Sequence, residues 1–460
     1  MSFRLCDFDA IGFDVDHAFV QYKLENLFPL VYESLAKVLV ETRDYPKELL
    51  EDKFEKYSDF CTRGLILDAD KGDFVKVGND GKVIRASHGT SIMDDAKMTE
   101  EYGEKRQWSP FESFLGGMKK KGNFLRSATF RMFENFFDMP AMLLCARLID
   151  IMDTQDTGKE KYKLIWPDVL SSLIVNFDYS SFGDNKGYFY PALKADIAKY
   201  IKPTSKKLKE WLKKLRNNGK KVFLITNSQA DFSMFVLENA FGADWRSYFD
   251  VAISRAEKPG FFRDKNPFVE VVNRVNGKDP IQSLEADKYY ALGNSSELEE
   301  YLCKLTGKTE MKILFFGDSL LSDVYPPKCF ANWQTVALLE ELELEIDNEV
   351  DGQNDNVNNG EDCADDEPDT KKQKLNEDTN GRQKDDHITS KDILTSATWG
   401  SIFGVDGKLM NTLYSSLIDE YSSLVIAGLD SITELPLDHT FEKSRHNGRT
   451  HFFPREPTTS

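Results

Sequence analysis

Asp14 and Asp16 stand two residues apart directly after the apolar run Ala10–Phe13. A buried strand that ends abruptly in acids delivers both carboxylates at its C-terminal end, where sites form. Three later segments offer matching groups. Thr226-Asn227-Ser228 follows the apolar run Val222–Ile225 and presents hydroxyls and backbone N–H groups ahead of a helix, a seat for an anion. Lys258, before Pro259 and Gly260, supplies a fixed cation, and Gly317-Asp318-Ser319-Leu320-Leu321-Ser322-Asp323 adds two carboxylates after Ile313–Phe316. Each has an ordinary explanation: acid pairs end strands as solvated turns, Thr226–Ser228 suits a helix cap, and Lys258 suits a surface. Taken in order at strand ends, they form a kit for phosphoryl transfer, which needs in-line positioning and compensation of charge on the equatorial oxygens.

The elements around these residues alternate. Ser205–Asn217 places Leu208, Leu212 and Leu215 on one helical face, with Gly219 as its stop. A strand is expected at Val222–Thr226, a helix at Asp231–Phe241 and a strand at Val251–Ile253. A helix at Ser296–Leu305, with Glu299 completing a capping box, and a strand at Ile313–Phe316 follow. Such alternation predicts an α/β fold with a parallel sheet, helices on both faces, and ligands outside the carboxyl ends of the strands. The stretch 24–200 lacks that rhythm and reads as a large, mainly helical inserted cap. It contains a hairpin signature at Gly72–Val77 and Gly81–Ile84, and an apolar helix at Ala141–Met152. The expected division is a core of 1–23 and 201–345, the cap at 24–200, an acidic disordered insert at 346–391, and a C-terminal segment at 392–460. Lys371-Lys372-Gln373-Lys374 within the insert reads as a solvated basic cluster rather than an import signal.

The four ordered segments resemble the motifs of the haloacid dehalogenase superfamily. Gly72-Asp73-Phe74-Val75-Lys76 through His88-Gly89, Phe137-Asp138-Met139-Pro140 and Trp399-Gly400-Ser401-Ile402-Phe403 extend the resemblance to the cytosolic 5'(3')-deoxyribonucleotidase and purine 5'-nucleotidase-like family. The resemblance implies a Rossmann-like core, a cap between the first and second motifs, and Mg²⁺-dependent hydrolysis of nucleoside monophosphates. It implies Asp14 as the nucleophile that becomes an aspartyl-phosphate and Asp16 as general acid and base. Thr226, Asn227, Ser228 and Lys258 would hold the phosphoryl group. Mg²⁺ would take Asp14, the backbone carbonyl of Asp16, and Asp318, with Asp323 beside them. It also implies that the Trp399 region packs onto the core.

Two departures stand out. Ala18 occupies a place where the family usually has Thr, a hydroxyl worth about 1 kcal/mol of positioning. Phe137 is followed by Asp138, and Asp168–Asp178 lacks Arg and His, so a purine preference is not carried over. These departures also leave open a weakly active or inactive binding or scaffold protein that keeps the fold. His88 reads as a hydrogen-bonded residue beside the hairpin, and His17 as a loop-packing or substrate-contacting one.

Bulk properties agree with a globular enzyme: 460 residues, 40% hydrophobic, formal net charge -18. That charge opposes binding to nucleic-acid polymers and anionic membranes, and no run of Lys and Arg is expected to reverse it locally. The expected partner is a small phosphorylated metabolite, a nucleotide by resemblance, whose charge a bound divalent cation can offset. Six scattered cysteines without a CxxC pair fit a reducing compartment, and no signal peptide or membrane span is legible, so a cytoplasmic location is expected.

Overall fold

The computed structural model describes residues 2–121, 129–155, 161–286, 288–343, 388–405 and 408–442. The acidic insert, with its basic cluster, falls almost entirely outside them. The centre of the molecule is a nine-stranded sheet. In chain order its strands are β1 (Ala10–Phe13), β2 (Lys221–Ile225), β3 (Val251–Ser254), β4 (Phe268–Val272), β5 (Val275–Pro280), β6 (Tyr289–Leu292), β7 (Ile313–Gly317), β8 (Gln334–Leu338) and β9 (Leu424–Ile426). They lie in the order β5-β4-β6-β3-β2-β1-β7-β8-β9.

The sheet is mixed, which corrects the all-parallel expectation. β4 runs antiparallel to both β5 and β6, while the remaining neighbours are parallel. The short connection from Val272 to Val275 allows only a hairpin, since a parallel pair needs a crossover of a dozen or more residues. Side chains leave the sheet on both faces. Phe13 and Phe316 meet Trp211 of the helix Lys206–Asn217 on one side, while Phe223 and Phe315 share the opposite cluster with Leu298 and Leu302 of the helix Ser295–Thr306. Gly12 is required between them, because a Cβ there would lie 2.2 Å from the Phe223 ring.

The helix boundaries fall within a residue or two of their sequence signals, but the capping residues of Ser295–Thr306 are not the expected ones. Asn294, not Ser296, receives the N–H of Glu297, and Glu299 instead accepts from the Trp333 indole at 2.6 Å.

In the stretch 24–200, the helices Leu24–Thr42, Met139–Thr154 and Tyr162–Phe177 pack on one another. A five-stranded antiparallel sheet stands beside them, ordered Ser91–Ile92, Val83–His88, Asp73–Val77, Ile66–Asp68, Phe130–Met132. The hairpin signature is the centre of this sheet. Its outer strands are two or three residues long, too short to show a period of two in the sequence.

The chain after the insert divides its packing. Trp399 is fully buried 5.7 Å from the ring of Phe60, and Lys76 donates to the carbonyls of Trp399 and Gly404 at 2.7 and 2.8 Å. The Trp399 loop thus meets the stretch 24–200, while its Ile402 and Phe403 share a buried cluster with Ala337 and Val425 of the central sheet; a buried ammonium needs several acceptors, and this loop supplies them. β9, by contrast, joins the central sheet beside β8.

Basic residues do concentrate in one place. A recess of about 470 Å³ at the amino ends of β2 and β3 is lined by Lys213, Arg216, Lys220, Lys221 and Asp250. Lys220 donates to the carbonyls of Cys6 and Phe8, and Arg216 and Lys221 face Asp250, so part of that charge is engaged internally. No helix of the described residues is long and apolar enough to cross a membrane.

Candidate active site

The chain builds outward from β1 in both directions: β2, β3 and β6 lie to one side, and β7 and β8 to the other. β1 and β7 are parallel neighbours at the point where the chain crosses from one side of β1 to the other, and crevices for ligands open at the carboxyl ends of strands at such a point. Asp14 leaves β1 there, with its N–H donating to the Phe316 carbonyl of β7 at 2.8 Å. Phe13 is in register with Phe316, so Asp14 and Asp318 emerge side by side.

The carboxylates of Asp14, Asp318 and Asp323 come together, with one oxygen of each within 4.8 Å of the others, and all three residues are buried. Lys258 Nζ lies 2.8 Å from Asp14 Oδ1 and 2.6 Å from Asp323 Oδ1, and donates to the Ile225 carbonyl at 3.2 Å. Thr226 is buried, and its Oγ1 accepts the Ser228 N–H at 3.0 Å. Asp16 is turned aside from the carboxylate cluster: Tyr22 Oη donates to its Oδ1 at 2.7 Å and Ser228 Oγ to its Oδ2 at 2.6 Å.

Asn227 and Ser228 face partners within the protein. Asn227 Oδ1 accepts the Lys258 N–H at 2.6 Å and its Nδ2 donates to the Lys258 carbonyl at 3.2 Å, while Ser228 holds Asp16. Their side chains are thus engaged with the lysine and the second aspartate.

Burial sets the electrostatics. It raises the carboxyl of Asp16 above the usual carboxylate range, and the neighbouring Asp14 adds to the rise. Burial also raises Asp318 well above that range, against the opposing pull of Arg63. Asp323 is pushed up to about 7 by burial, although Lys258 counteracts this. Burial lowers the Lys258 ammonium, but Asp14 and Asp323 together outweigh it and hold Lys258 above its usual value.

Several participants carried no local sequence signal. Arg63 is fully buried and donates to the Asp318 carbonyl at 2.9 Å, and Glu134 accepts from Ser319 Oγ at 2.7 Å and from the Leu320 N–H at 2.8 Å. Tyr22 is the third. His17 packs among Tyr22, Phe136 and Phe137 at ring separations of 4.7, 4.8 and 5.1 Å, and burial drives its pKa well below 6.5. Burial thus favours the neutral ring at this position. His88 lies in another cluster, with Nδ1 2.8 Å from Asp73 and Nε2 2.9 Å from Asp153.

Three buried carboxylates balanced chiefly by Lys258 and Arg63 make an oxygen-rich, negatively charged pocket. That donor set suits a hard divalent cation such as Mg²⁺.

A family model described as "5' nucleotidase family" matches residues 1–451. The chain is 34% identical to human "5'-nucleotidase domain-containing protein 1" over 99% of its own length and 96% of that protein, and equally to the Bos taurus protein of that name. It is 29% identical to human "5'-nucleotidase domain-containing protein 2" over 74% of this chain and 62% of the relative. With a match reaching from the first residue past β9, and with relatives aligned over nearly its whole length, this chain belongs to the 5' nucleotidase family.

Proposed function

We propose that this protein is a Mg²⁺-dependent phosphomonoester hydrolase of the haloacid dehalogenase type, with the stretch 24–200 as its cap, acting on nucleoside monophosphates. The observation that carries the reading is the convergence of Asp14, Asp318 and Asp323 around Lys258 at the carboxyl ends of β1, β3 and β7. Family membership and the names of the relatives support the substrate class.

Asp14, Asp318 and the backbone carbonyl of Asp16 would hold the cation, with Asp323 beside them and linked to Lys258. When bound, it supplies charge compensation to the phosphate oxygens and offsets the repulsion between the phosphate and the carboxylates. An oxygen of Asp14 attacks phosphorus as the ester P–O bond breaks, and Asp16 gives its proton to the departing alkoxide. Asp16, now ionised, takes a proton from water, whose oxygen attacks the phosphorus of the Asp14 acyl phosphate; the anhydride P–O bond breaks and inorganic phosphate leaves. A carboxyl raised by burial suits this alternation, since it can both give and take a proton. Lys258 stabilises the transferring phosphoryl group, and Thr226 would line the phosphate seat.

Release of phosphate from a panel of nucleoside monophosphates and sugar phosphates tests the reading. Turnover should vanish on chelation, return with Mg²⁺, and be lost in Asp14→Asn. Turnover that is indifferent to chelator, or unchanged in that variant, contradicts it.

A further inference from the structure

Two residues from outside the β7 loop hold that loop from below. Arg63 Nη1 donates to the Asp318 carbonyl at 2.9 Å and lies 3.9 Å from its Oδ2, while Arg63 Nε reaches Glu341 Oε1 at 2.8 Å. Its guanidinium also lies over the Phe136 ring, 3.9 Å from the centroid. Glu134 takes the next two donors along, Ser319 Oγ and the Leu320 N–H. The backbone bearing Arg63 is pinned in turn: Gly64 has a φ of +85°, and a Cβ there would lie 2.5 Å from Tyr414 Cβ. The loop carrying Asp318 is thus gripped by parts of the chain distant from β7 in sequence.

We infer that Arg63, anchored by Glu341, is a positioning residue for the divalent-cation centre, fixing the backbone and carboxylate of Asp318 so that its oxygen meets those of Asp14 and Asp323. The inference rests on the metal-dependent reading above. A planar fork does what an ammonium cannot: it grips a carbonyl, faces a carboxylate, binds a second carboxylate and lies flat on an aromatic ring. Charge alone would act otherwise, since a cation beside the pocket repels a second cation. Arg63→Lys separates the two effects, because it keeps the charge and loses the fork.

The test is calorimetric titration of the full-length protein with MgCl₂ alone, alongside thermal unfolding. Wild type should bind, and Asp318→Asn should not. Arg63→Lys should bind on the order of 10–100-fold more weakly, the usual effect of removing a partner behind a metal ligand, and the loss should exceed what any change in Tm explains. Glu341→Gln, which leaves the guanidinium in place but loosens it, should weaken binding in the same direction and decides the matter if Arg63→Lys does not fold. Wild-type affinity in Arg63→Lys, or in Glu341→Gln where only that variant folds, overturns the inference while leaving the metal centre standing. Failure of wild type itself to bind overturns the metal-dependent reading and this inference with it.

Discussion

The position of Asp16 depends on two hydroxyls, those of Tyr22 and Ser228, and the Tyr22 bond favours the ionised carboxylate. Tyr22→Phe removes one of them, so the Asp16 carboxyl should rise further. The water-activating step needs Asp16 ionised, so the acid limb of the rate profile should move to higher pH. Turnover at neutral pH should fall about tenfold, near the worth of one positioning bond; an unmoved limb would reduce Tyr22 to packing. Ala18 lines a recess of about 20 Å³ with Thr204, Ser205 and Asp430, where Thr204 Oγ1 has no partner among the described residues. With Asp16 already held by other side chains, Ala18→Thr should change turnover by less than about fivefold. A gain of orders of magnitude would show that the missing hydroxyl had been suppressing the chemistry. Asp14, Lys258 and Asp318 were legible because each follows an apolar strand, a context that a single sequence displays. Arg63 and Glu134 were not, because a charged residue bound to a distant backbone looks, in sequence, like any charged surface residue.

At the scale of elements, His88 joins the small sheet to the helix Met139–Thr154 through Asp73 and Asp153, and Tyr162 donates to Asp153 from the next helix. Asp150, which accepts from Thr90, stands close enough to His88 for their charges to interact. The hydrogen bond to Asp73 raises the His88 pKa above 6.5 against the opposing effect of burial, with Asp153 adding to the rise. Because the folded value is the higher one, the stabilisation is complete below about pH 6.5 and is lost as pH climbs through the folded pKa. The melting temperature should therefore fall across that window in wild type, and Asp73, Asp153, Asp150 and Tyr162 should leave a flatter curve once His88→Gln removes the titrating ring. Parallel curves would rule out the linkage. Sequence reading located four of the nine strands of the central sheet, β1, β2, β3 and β7, and the helices Lys206–Asn217, Ala230–Ala240 and Ser295–Thr306, because their apolar patterns stand out from their flanks. It took the wrong cap at Asn294 because Ser296 and Glu299 also satisfy the capping pattern, and only the Trp333 indole decides which glutamate is free. It also missed the antiparallel pair β4–β5, where five of the six β5 residues are exposed and no buried face imposes an alternation.

At the scale of the whole molecule, the strand that finishes one side of the sheet comes from beyond the acidic stretch: Val336 of β8 pairs with Leu424 of β9. A chain cut after Glu343 should leave β8 with open N–H and C=O groups beside buried apolar side chains. Such a chain should elute as aggregate in size-exclusion chromatography or fail to stay in solution; a monodisperse, folded product would show that β9 is dispensable. During synthesis the same order of events occurs naturally. The ribosome releases Asp14, Asp16, Thr226, Lys258, Asp318 and Asp323, the residues of the proposed site, well before it releases Leu424. The nascent polypeptide therefore passes through an interval in which its chemistry is assembled on a sheet with one raw margin. That interval, rather than the finished fold, is when this protein is most in need of a chaperone.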